Sequence, residues 1–159
     1  MLPVGKIGLV MSLAFGSLLV SGFASGTFTA NTFTAHKRVV DDTIARHIAV
    51  LRSGSAQEKA AAAYWLGRQR SAAAPAVDPL VELLSDVSEI NPMRYRGSRI
   101  LQKLTLGEEA AAALVNIGHP SIEPLIRVLK TSPFAAARKN AAWALGALHD
   151  SGVTTSQDL

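Results

Sequence analysis

Arg94-Tyr95-Arg96, with Arg99 close behind, is the polar cluster in the chain that most suggests chemistry. It follows Asn91-Pro92, a pair that breaks helices, so it reads as a loop carried by more regular elements. Guanidinium groups grouped around a tyrosine suit capture of an acidic partner or an anionic surface. Loops on rigid scaffolds carry such roles disproportionately, although a solvated loop is the plainer reading.

Acid–base and metal chemistry find less support. His149 precedes Asp150, but neighbours at a helix end are not expected to face one another, and no nucleophile stands beside them. His149 is more simply a complement to a helix C-terminus, and His119, in Gly118-His119-Pro120, a turn residue bonding backbone. Asp78 and Glu82 share one helical face as a single carboxylate pair, which usually meets solvent and is too little for a cation site. The chain has no cysteine, which excludes disulfides, thiolate metal sites and thiol nucleophiles. The expectation is therefore no catalytic residue, no metal and no cofactor. A formal charge of +4 with 6% aromatic residues is far from the dense basic, aromatic stripe of a nucleic-acid binder, so no nucleic-acid partner is expected.

The elements that must position these residues repeat one another. Ala62-Ala63-Tyr64-Trp65-Leu66-Gly67 returns as Ala141-Ala142-Trp143-Ala144-Leu145-Gly146 and more loosely as Ala110-Ala111-Ala112-Ala113-Leu114-Val115. Val77-Asp78-Pro79-Leu80-Val81-Glu82-Leu83-Leu84 returns as Ile122-Glu123-Pro124-Leu125-Ile126-Arg127-Val128-Leu129. Such self-similarity predicts stacked helix pairs, each too small to bury its own apolar face. Alanine in abundance lets the helices come close.

Ser55 to Glu58 and Thr105 to Glu108 are capping boxes, each opening a helix. Ile44, Ile48 and Leu51 mark an earlier helix that Asp41-Asp42 begin and Gly54 ends. Ser132-Pro133 predicts the start of the last helix. Leu66 and Leu114 are 48 positions apart, whereas Leu114 and Leu145 are 31 apart. The excess falls mostly in an insert at 86–106, where Ser98 is expected to cap a short helix carrying Ile100, Leu101 and Leu104; one long helix containing Gly107 is the alternative. Trp65 is expected in the core, and Trp143 stands between core and interface anchor. The last unit shows one helix, and Phe134 with Trp143 on its free side predicts docking there, as self-association or contact with a partner.

The first 24 residues read as a secretory signal peptide. Lys6 precedes an apolar run from Ile7 to Val20, and Gly22-Phe23-Ala24 offers a cleavage site. Glycines and serines dilute that run below a membrane span of roughly 20 apolar residues, so no stable span is expected after cleavage. An uncleaved tether is the alternative. Residues 25–39 read as a flexible leader, 40–150 as the repeat domain and 151–159 as a polar tail.

With these phrases laid out, the chain resembles the HEAT-like repeats named after phycobilisome lyases, within the armadillo-type superhelix group. The resemblance rests on the Ala-Leu-Gly phrases with Lys59 and Arg138 upstream, and on Gly118-His119-Pro120 leading to Ile122 and Pro124-Leu125-Ile126. It implies an all-α solenoid of about two and a half to three helix pairs and a role in binding protein partners. Second helices of such repeats line the concave face, which implies Asp78, Glu82, Glu123, Arg127 and Lys130 as an exposed lining of alternating sign. By the same resemblance, a bilin lyase-like enzyme or lyase subunit is the alternative function. Related hydroxylases use paired His-Glu steps, and here no histidine precedes a glutamate. The reading is an exported (periplasmic or secreted), non-catalytic repeat scaffold whose partner-binding residues include Arg94, Tyr95, Arg96, Arg99 and Trp143 beside the lining.

Overall fold

Helices whose apolar residues recur on one face bury that face only against neighbours, and this chain solves the problem by stacking. The computed structural model describes residues 28–97 and 103–153. Among these, seven α-helices follow one another: α1 (Phe28–Ser53), α2 (Ala56–Arg68), α3 (Val77–Glu82), α4 (Met93–Arg96), α5 (Leu106–Ile117), α6 (Ile122–Thr131) and α7 (Ala135–Asp150). Short 3₁₀ turns at Arg70–Ala76, Leu83–Ser85 and His119–Ser121 link or extend them. No described helix is long and apolar enough to cross a membrane. The signal segment, Ser98 to Gln102 with Arg99, and 154–159 lie outside the described residues.

The stack runs α1–α2–α5–α7, with α3 against α5 and α6 against α7. Its inner surfaces are alanine and leucine. α2 packs on α5 and α5 on α7, and Ala60, Ala63 and Leu66 of α2, Ala110, Ala113 and Leu114 of α5, and Ala137, Ala141, Ala144 and Leu148 of α7 are all buried. At Gly67 an added Cβ would stand 3.0 Å from the Ala113 Cα, so the α2–α5 approach depends on that glycine.

Several boundaries differ from the sequence reading, each for a local reason. α1 already includes Phe28, inside the expected leader, and no glycine or proline interrupts 28–53. Asp41 and Asp42 are therefore mid-helix and exposed, away from the helix dipole's positive end. α7 starts after Phe134 instead of at Pro133, with Ser132 closing α6. Both capping boxes form, with Ser55 and Thr105 as N-caps.

The insert is the main departure. Leu104 lies in a strand, not in a helix: β1 (Glu89–Ile90) pairs antiparallel with β2 (Leu104–Thr105), Glu89 opposite Thr105 and Ile90 opposite Leu104. Gln57 of α2 then clasps its far side, exchanging two hydrogen bonds with the Asn91 backbone at 3.0 and 2.9 Å. Beyond β2 the chain enters α5 through a crowded point. Gly107 N–H donates to the Asp86 carbonyl at 2.9 Å, and buried Asn140 of α7 donates to the Leu84 carbonyl at 2.9 Å. A Cβ at Gly107 would meet Leu84 O at 2.7 Å, Asn140 Nδ2 at 2.8 Å and Asp86 O at 2.9 Å. Gly107→Ala is expected to lower unfolding free energy by roughly 1–3 kcal/mol, because all three atoms are fixed by hydrogen bonds or backbone. Urea unfolding checks this; an unchanged midpoint would mean that the three elements part easily.

Candidate functional site

The first turn of α5 places two adjacent glutamates in opposite circumstances. Glu108 completes the capping box: its carboxylate accepts from the Thr105 backbone N–H at 3.0 Å and pairs with Lys139 at 3.1 Å. The Thr105 backbone hydrogen bond first, and Lys139 second, hold its carboxyl below the usual range. Its contribution to stability is thus complete at neutral pH and fades as acid protonates it.

Glu109, one residue on, turns inward and is 1% exposed. An isolated carboxylate in that position would be strongly disfavoured, and the insert supplies its partners. Arg96 Nη2 donates to both carboxylate oxygens, at 2.7 and 2.6 Å, and the Tyr95 hydroxyl donates to Oε2 at 2.9 Å. Tyr64 of α2 completes the cluster: its ring lies 5.6 Å from that of Tyr95, with the Arg96 guanidinium 5.2 Å from the Tyr64 centroid. Burial, then the charge of Glu109, pushes the Tyr95 phenol well above its ordinary value, so it remains a donor. Burial is also the largest influence on Arg96 and acts downward, but the Glu109 hydrogen bond and charge outweigh it and raise the guanidinium further. With both oxygens occupied and solvent excluded, this carboxylate fastens the insert to the stack.

That arrangement divides the basic cluster read from sequence. Arg94 is exposed and makes no ion pair among the described residues, while Tyr95 and Arg96 are turned onto Glu109. Asp78, Glu82, Glu123, Arg127 and Lys130 all lie exposed on α3 and α6. Trp143 is 55% exposed and Phe134 60%. Phe134 is the extended residue that precedes the first turn of α7, whereas Trp143 lies within the helix; Ala141, between them, is buried. Trp65 is half-buried and packs on the core, its ring stacked on His47 of α1 with centroids 4.0 Å apart. The His119 ring is exposed and makes no hydrogen bond among the described residues, while His149 Nδ1 and Asp150 Oδ1 approach to 3.7 Å at the surface, beyond hydrogen-bond reach. Among the described residues no group of three histidine, aspartate or glutamate side chains could hold a metal.

The sequence reading missed Glu109, and with it Tyr64. The available signal was a carboxylate among the alanines of a packed helix face, with Tyr95-Arg96 nearby to answer it. A cavity of about 490 Å³ opens beside this cluster, between the insert, α5 and α7. Arg96, Lys103, Glu108, Lys139, Asn140 and Trp143 are among its walls.

The comparisons with known proteins agree with this architecture. The family model for the PBS lyase HEAT-like repeat matches residues 58–86 and 108–131. Both segments are HEAT-like repeats of that type. The first HEAT-like repeat spans α2, its 3₁₀ turn and α3, and the second spans α5 and α6. The insert lies between them, and the Ala-Leu-Gly phrase of α7 falls beyond the second match. No curated protein and no solved structure matches the chain.

Glu109→Ala leaves Arg96 and Tyr95 without their acceptor. It is expected to cost roughly 2–4 kcal/mol, moderated because Arg96 keeps 22% exposure, and to open the insert to protease. Arg94→Ala should stay within about 0.5 kcal/mol of the parent. Denaturant midpoints with limited proteolysis check both; equal losses would mean that the insert is held by something other than Glu109.

Proposed function

We propose that the protein is an exported, non-catalytic HEAT-like repeat module that binds protein partners through the charged side of its second helices. The observation that carries this reading is the state of that side. Asp78, Glu82, Glu123, Arg127 and Lys130 are exposed, and none forms an ion pair among the described residues. Charges placed at corresponding positions of successive repeats, and left without internal partners, are available to a complementary surface. They would act on partner choice and encounter rate more than on raw affinity. The only fully buried carboxylate among the described residues, Glu109, is occupied by Arg96 and Tyr95, which favours a structural over a catalytic role. Export rests on the apolar leader, Lys6 and the small residues before Ser25.

Protein recovered from its native cell tests both parts. Its N-terminus is expected near Ser25, and immobilised protein should retain a partner released by salt. Paired reversals, Asp78→Lys with Glu82→Lys or Arg127→Glu with Lys130→Glu, should weaken retention roughly tenfold with unchanged circular dichroism. An intact, membrane-embedded N-terminus would overturn cleavage and make this a tethered module. Undiminished retention by both variants would overturn the binding face.

A further inference from the structure

The cavity between the insert, α5 and α7 is a different surface, to which α3 and α6 contribute nothing. Its volume of about 490 Å³ falls within the range of ligand sites, roughly 300–1,000 Å³. Three cations, Arg96, Lys103 and Lys139, stand in its walls against one carboxylate, Glu108. Each cation has an internal partner, but the two lysine pairs are weak holds. Lys103–Glu89 and Lys139–Glu108 are both 3.1 Å contacts, with the lysines 81% and 70% exposed. Surface pairs of this kind contribute little, so an incoming anion can redirect them cheaply. Arg96 gives only Nη2 to Glu109, and its buried Nε–H has no acceptor among the described residues. Trp143 supplies an exposed indole one helical turn from Lys139, and Leu104 adds an aliphatic wall.

We infer that this cavity receives an acidic peptide segment of a partner protein, one carboxylate among Lys103, Lys139 and Arg96 and an adjacent apolar side chain against Trp143 and Leu104. Charge selects the carboxylate, and the indole explains the second element. A half-exposed tryptophan beside cations is the anchor type that dominates protein interfaces once a partner covers it. Among the described residues Lys103 and Lys139 stand exposed on its walls, within reach of side chains of a passing segment. This site stands independently of the α3–α6 face.

The test uses the full chain and two probes, N-acetyl-Glu-Leu-Glu-amide and its Gln-Leu-Gln counterpart, followed through the Trp143 indole N–H resonance. The acidic peptide should shift that resonance saturably, at millimolar concentration or below, and added salt should weaken it. The neutral peptide should bind at least roughly tenfold more weakly, and Lys139→Glu should weaken the acidic one by a similar factor. Lys139→Glu is expected to leave circular dichroism unchanged, since Lys139 is exposed. The Arg127→Glu/Lys130→Glu variant should bind the acidic peptide as the parent does. Equal binding of both peptides, no saturable shift, or undiminished binding by Lys139→Glu would overturn the proposal.

Discussion

Everything in this molecule depends on how closely α2, α5 and α7 approach. Alanines and one glycine set that distance: the missing Cβ of Gly67 leaves the Ala113 backbone room, and a larger residue would force the helices apart. Alanine buries little area, so apolar stabilisation comes from the leucines that the close approach brings together, among them Leu66, Leu84, Leu114, Leu125 and Leu148, all fully buried. Small residues fix the geometry and large ones supply the burial. Neither class would suffice alone, which is why a single helix pair cannot stand and the phrases must recur.

The insert interrupts this recurrence and is tied back by polar contacts. A carboxylate on a packed helix face is costly unless it is met, and Glu109 is met by Tyr95 and Arg96, which brings the insert over α5. Gln57 and the β1–β2 pair hold its two ends. One consequence is the cavity beside α7. The repeats thus present two unlike surfaces: a charged one on α3 and α6, and a basic, tryptophan-bearing hollow where the insert meets α5 and α7.

How much of this could be read in the residues follows from the range of each interaction. The capping boxes at Ser55 and Thr105 were legible because a cap needs only residues three apart. The stacked pairs were legible because a phrase repeated in sequence repeats its environment. The paired strands were not, since two residues each carry no alternating pattern. The Glu109 cluster was not, because its members come from α2, α4 and α5 and only the fold brings them together. Arg96 shows the cost of that blindness: by composition it is a surface cation, yet it answers a buried charge.

The central claim is that α2, α5 and α7 form one cooperative stack, each stable only against its neighbour. Native-state hydrogen exchange of the full chain tests this most directly. The account predicts that the slowest amides of these three helices exchange together, with one opening free energy equal to that of global unfolding. Amides of α2 or α7 that open independently, well below the global value, would contradict it.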